Sequence, residues 1–199
     1  MKLRDYRLIF VAVGLIGVLL ISSSAIAEVI EVPGGELFSE LYLLGSERRA
    51  ENYPYDIAVG KSYSVYVGVG NHLESLAYYV LYVKFGNISD QMPNPTLGTP
   101  SSLPMLYEYR FSISDSMNWE RLLSFSVSNV AISGNNSQIS TLKINDDLFN
   151  VDKPALWNSN STTFAYRLLF ELWIYNVSTG SVEFNNRFVN LQLNLTQTP

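Results

Sequence analysis

The chain has no cysteine and only one histidine, His72. The missing thiols exclude disulfides, thiolate nucleophiles and cysteine-ligated zinc. A serine hydrolase would have to use His72, and no serine sits in a Gly-x-Ser-x-Gly setting, so no catalytic residues are expected. Charged residues are scarce at 16%, the 13 basic ones are scattered and the net charge is −5. A nucleic-acid-binding surface needs the opposite distribution, which rules out that partner class. Gly68-Val69-Gly70 has no third glycine and no following helix, so it makes no phosphate cradle. Asn145-Asp146-Asp147 with Asn150 and Asp152 lacks the alternating ligand spacing, the glycine and the terminal glutamate of a calcium loop, and reads as a solvated turn. Neither a metal site nor a cofactor is expected from these patterns. Helix signals are few after residue 27.

One long hydrophobic run is present. Leu8 to Ala27 carry no charge and follow Lys2, Arg4 and Arg7. At 1.5 Å per residue, 20 residues reach about 30 Å, the thickness of a bilayer's hydrocarbon core, and the basic head favours a cytoplasmic N-terminus. Residues 8–27 are therefore expected to contact the lipid bilayer as a single-pass anchor, with the rest of the chain extracellular. Ser22 to Ala27 also end in a small-x-small pattern, so cleavage before Glu28 and secretion is the alternative. Residues 1–27 then form the anchor or signal segment, 28–36, with Pro33-Gly34-Gly35, a short stalk, and 37–199 one domain.

Within that domain the apolar residues mostly follow period two. Tyr63, Val65, Val67 and Val69 alternate with polar or small neighbours; so do Tyr107, Tyr109, Phe111 and Ile113, then Leu123, Phe125 and Val127, and at the end Val189, Leu191, Leu193 and Leu195. Each pattern predicts a strand with one buried face. Leu76 to Phe85 and Phe164 to Tyr175 are apolar on both faces and predict central strands. Clusters such as Ser133-Gly134-Asn135-Asn136 and Ser178-Thr179-Gly180 supply the turns. Together these predict an all-β fold, an immunoglobulin-like antiparallel β-sandwich preceded by one N-terminal transmembrane or signal helix. Residues 86–104, with Pro93, Pro95, Pro100 and Pro104, read as a long exposed loop and a candidate contact surface.

Particular residues also carry expectations. His72 is placed in a turn as a capping or hydrogen-bonding residue, since a metal site would need partners. Glu171 and Arg167 share a face of an apolar strand and are expected to form a partly buried ion pair. Five Asn-x-Ser/Thr sequons mark Asn87, Asn135, Asn160, Asn176 and Asn194 as candidate glycosylation sites.

Several segments also form a familiar series. Ser39 to Gly45, Ala50-Glu51-Asn52-Tyr53-Pro54, Val59-Gly60 and Val67-Gly68-Val69-Gly70-Asn71-His72, followed by Trp119-Glu120 and Tyr166 to Ile174, resemble an archaeal membrane-associated family called domain of unknown function 1616. The resemblance implies a domain outside the membrane. It carries over no catalytic residue.

Two functional expectations follow. The first is a non-catalytic, membrane-anchored and N-glycosylated cell-surface module that contacts envelope or surface-filament proteins. The alternative is a secreted subunit of a surface filament, in which Val29 to Leu44 add as a strand to the next subunit, or an accessory of a membrane glycan-assembly enzyme.

Overall fold

The computed structural model describes Val11, Val13, Leu15, Ile16 and residues 36–159 and 161–196. The chain divides into two compact units, Met1–Leu37 and Phe38–Pro199. In the first, Val11, Val13, Leu15 and Ile16 are helical and exposed. Among the described residues, no helix is long and apolar enough to cross a membrane. This corrects the expected anchor over residues 8–27, and with it the bilayer partner, the single-pass topology and the membrane-anchored surface module. The other positions of that segment, and the cleavage point before Glu28, lie outside the described residues.

The second unit is built from strands. They are β1 (Phe38–Leu44), β2 (Asp56–Ile57), β3 (Tyr63–His72), β4 (Ala77–Asn87), β5 (Met105–Ile113), β6 (Met117–Ser133), β7 (Asn136–Ile144), β8 (Asp147–Asn158), β9 (Thr163–Asn176) and β10 (Ser181–Leu195). Hydrogen bonds link them in the order β1-β3-β6-β7-β8-β9-β10-β2, with β4 paired to β9 and β5 paired to β4. All these pairs are antiparallel except β10 with β2.

The all-β expectation therefore holds, but the immunoglobulin-like sandwich with its N-terminal transmembrane helix does not. A sandwich keeps two separate sheets. Here β8 leaves the ladder of β7 and pairs with β9 through Trp157↔Phe164 and Asn158↔Thr163, so ten strands make one sheet curled like half a barrel. Long strands permit the curl, because β6 and β10 have 17 and 15 residues and β9 and β10 shift register between Phe184 and Arg187. Such an irregularity bends a strand and increases its twist.

The concave face holds the core. Val65, Val67 and Val69 of β3 and Leu123, Phe125 and Val127 of β6 form one cluster with Tyr79, Leu81 and Val83 of β4 and Leu168, Phe170 and Leu172 of β9. Period-two alternation places these side chains inside, and the predicted double-sided strands prove central. In β4, Val80 is as fully buried as Tyr79 and Leu81, and in β9 Leu169 is as buried as Leu168 and Phe170.

Candidate functional site

A half-barrel leaves edges. The first lies at β1, where Ser39, Leu41 and Leu43 turn inward and Phe38, Glu40 and Tyr42 outward, in register with β3 from Phe38↔His72 to Leu44↔Tyr66. Ser39 is buried, its hydroxyl 2.8 Å from the Tyr79 hydroxyl, while Leu41 and Leu43 pack on the core. On its other side β1 meets β10 across a seam, along the stretch of β10 that precedes its pairing with β2 at Asn194 and Leu195. Two side-chain hydrogen bonds sit on this edge of β1: Arg187 Nε donates to the Ser39 carbonyl at 3.1 Å, and the Tyr53 hydroxyl donates to the Leu43 carbonyl at 2.8 Å. By strand alternation the N–H and C=O of Leu41, between them, face the same seam. A groove of about 400 Å³ opens there, lined mainly by Leu41, Leu43, Tyr53, Tyr55, Val189 and Leu191. Burial raises the Tyr53 phenol above its ordinary range, so at neutral pH it remains a hydroxyl donor.

The edge strand β5 pairs only with β4. Its inward aromatics are stacked, with the Phe111 and Trp119 ring centroids 3.8 Å apart and Tyr109 edge-on to Trp119 at 5.2 Å. Asn145 Nδ2 donates to the Tyr109 hydroxyl at 3.0 Å and Asn145 Oδ1 accepts from Ser124 N–H at 3.1 Å. The segment read as a solvated turn is the tip of a hairpin, since Ile144 pairs with Asp147 and leaves Asn145-Asp146 as the connection. Among the described residues, no three His, Cys, Asp or Glu side chains converge as metal ligands.

The Pro-rich segment is more tied down than its composition predicts. Ser101 and Leu103 are buried against the convex face of β4 and β9. Lys84 Nζ lies 2.8 Å from Glu171 Oε2 and donates to the Ser101 carbonyl at 2.8 Å, and Ser101 N–H donates to Glu171 Oε1 at 2.8 Å. Glu171 is fully buried and Lys84 is 5% exposed. The loop is therefore latched to the sheet by an enclosed ion pair. Arg167 is not part of it: its Nη2 donates to the Ile88 carbonyl at 3.1 Å. The predicted Glu171–Arg167 pair is corrected, because Tyr82↔Glu171 registration brings Lys84 of the neighbouring strand closer than any residue of β9 itself.

His72 ends β3 rather than sitting in the following turn. The turn is organised by buried Asn71, which donates to the Ser75 and Ile113 carbonyls and accepts from Leu73 N–H and the Tyr79 hydroxyl. His72 instead joins Glu40 and Asn118 on the convex face around Gly70.

The sequons fall in different settings. Asn135 is exposed in the β6–β7 connection. Asn87 Nδ2 donates to the Pro154 carbonyl at 2.8 Å, Asn176 Nδ2 to Glu183 Oε2 at 2.9 Å and Asn194 Nδ2 to Asp56 Oδ1 at 3.3 Å. Asn160 lies outside the described residues.

Fold and seam together define an all-β domain with an unpaired, apolar-lined sheet edge. The chain belongs to the family described as Domain of unknown function (DUF1616), whose profile matches residues 33–175. No curated protein matches it. Among solved structures it is similar to a β-glucosidase from Listeria innocua in complex with glucose, with 9% identity and a TM-score of 0.35 over 81% of this chain and 17% of that one. It is also similar to the sporulation control protein Spo0M from Bacillus subtilis, with 10% identity and a TM-score of 0.38 over 83% of this chain and 51% of that one. The chain thus spans about a sixth of the glucosidase and half of Spo0M, and similarities this weak carry no argument about activity.

Proposed function

We propose that the domain is a non-catalytic assembly subunit that joins its neighbour by adding a β-strand at the seam edge of β1. The observation that carries this reading is the backbone of β1 facing the apolar groove with only side-chain donors on it. Unpaired edges template strand addition, and proteins that need to avoid it place charge or proline there. Ser39, Leu41 and Leu43, whose backbone groups face the seam, are none of these. Arg187 and Tyr53 hold the positions that N–H groups of an incoming strand would take, and a side-chain bond at a solvent-accessible seam is readily exchanged.

The occupant is residues 29–32 of a second copy. Val29, Ile30 and Val32 are β-branched; in an added strand Ile30 and Val32 share one face and suit the leucine- and tyrosine-lined groove, while Glu31 on the other face offers a carboxylate to Arg187. Pro33-Gly34-Gly35 separates this segment from β1 in the sequence. Sedimentation of the full chain and of a variant lacking residues 28–32, across a range of concentrations, tests the reading. The full chain assembles with rising concentration and the deletion variant stays monomeric. A full chain that remains monomeric, including one that pairs the segment with its own β1, or a deletion variant that assembles equally, overturns it.

The sequons support a separate expectation. We propose Asn135 as the preferred glycan acceptor, because it is exposed at a hairpin tip while the amides of Asn87, Asn176 and Asn194 are engaged. Glycopeptide mass spectrometry of the native protein should find occupancy at Asn135 exceeding that at those three; equal occupancy contradicts this.

A further inference from the structure

We propose that Glu40, His72 and Asn118 form a binding site for a divalent transition-metal cation of the zinc class on the convex face of β1, β3 and β6. Three aligned strands create it. Gly70 lies directly across from Glu40 on one side and from Asn118 on the other, and His72 follows two residues along β3 on the same face. Because residue 70 has no side chain, the three neighbours lean into the space above it. A Cβ placed on Gly70 would stand 2.8 Å from Asn118 Oδ1, 2.9 Å from Glu40 Oε2 and 3.2 Å from His72 Nε2.

The imidazole is the independent sign that something belongs there. His72 Nε2 is buried from solvent yet has no hydrogen-bond partner, and Glu40 Oε2 lies 3.7 Å away. That spacing is too long for a hydrogen bond and suits two ligands of one ion. Donors about 2.1 Å from a tetrahedral zinc stand about 3.4 Å apart. The ring is already oriented, since Phe38 stacks on it with centroids 4.6 Å apart. The side chains of Glu40 and His72 are 47% and 36% exposed, so they can close the remaining distance by small rotations.

Electrostatics favour a cation. Glu120 lies on the same face, and the Tyr42 phenol, whose ring covers Gly68, is pushed above its ordinary range by burial and then by Glu120 and Glu40. Glu120 is paired with Arg48 at 2.9 Å, which leaves Glu40 the carboxylate free to bind. One imidazole, one carboxylate and one amide oxygen make a mixed nitrogen–oxygen set suited to zinc and unlike calcium's oxygen-only set; water completes the coordination.

The lone histidine makes the test direct, because every imidazole signal in a nitrogen-15 spectrum of the full chain belongs to His72. Titration with zinc chloride is expected to move the Nε2 resonance and saturate at one ion per chain. Even outer-shell partners cost about 10- to 100-fold in metal affinity, so Glu40→Gln is expected to weaken binding by at least about tenfold. Gly70→Ala places a methyl group in the cradle and should abolish the shift. Its backbone amide spectrum away from the site stays unchanged, separating blockage from misfolding. An Nε2 resonance unmoved at millimolar zinc overturns the site, as does an equal response in wild type, Glu40→Gln and Gly70→Ala.

Discussion

An ammonium and a carboxylate enclosed between β4, β9 and the segment that follows β4 cannot be separated without leaving a bare charge in the interior. Removing one partner of such a pair costs about 3–5 kcal/mol, whereas replacing both with packed apolar groups is often near neutral. Lys84→Met is therefore expected to lower unfolding stability by about 3–5 kcal/mol in urea titration, and Lys84→Met with Glu171→Leu by clearly less. Equal losses in the two variants would contradict a paired latch. The sequence reveals that Glu171 and Arg167 share a face, but the cross-strand partner depends on the β4–β9 register, which no single segment encodes. Gly70 and His72 are both visible in the sequence, yet their convergence with Glu40 and Asn118 is hidden for the same reason. Titration is a further property of individual residues. Burial raises the Tyr79, Tyr109 and Tyr166 phenols above the ordinary value of 10.0, and hydrogen bonds from Ser39, Asn145 and Ser137 offset only part of that rise. In the window between 10.0 and the raised folded values the unfolded chain has released these protons and the folded one has not, so stability is complete below 10.0 and falls as pH rises through the window. Tyrosinate absorbance should show exposed tyrosines titrating first and a late group appearing together with unfolding; a single early transition without unfolding would count against it.

At the scale of elements, strands with clean alternation are legible: β3, β5 and the end of β10 contain the stretches their periodicity predicts. β7 and β8 are not, for a physical reason. β7 buries Ser137 beside Ile139 and a register shift between Ile139 and Thr141 breaks its alternation, and β8 contains Pro154, a residue that normally argues against a paired strand. Their tight connection is what identifies them. Asn145 adopts φ +52° between the two, and its side chain holds both β6 and β5. Asn145→Ala removes these bonds and places a residue ill suited to the left-handed region there, so a loss of about 1–3 kcal/mol is expected from denaturation. A loss near zero would show that the hairpin holds the turn unaided. The β9–β10 hairpin has its own pH signature. The Glu183 carboxyl is held below its ordinary range by hydrogen bonds from Thr179 and Asn176, so the stabilisation it lends is present above that range and lost as pH falls through the folded value.

For the whole molecule, the all-β class is legible in the sequence, because sparse helix signals and alternating apolar residues leave few other solutions. The choice between two stacked sheets and one curled sheet is not legible in this way. It rests on two residue pairs at the β8–β9 corner and on a register shift in β10, neither of which alters the hydrophobic pattern. Curling without closure leaves the seam between β1 and β10, the feature from which the assembly reading follows. The apolar run near the N-terminus points instead to an anchor, a reading that gains no support among the described residues. Backbone hydrogen exchange measured at low and high protein concentration tests strand addition most directly. Leu41 N–H faces the seam, so it should exchange freely in the dilute monomer and become protected as the chains assemble. Assembly that leaves the Leu41 amide exchanging as fast as in the monomer would contradict the account.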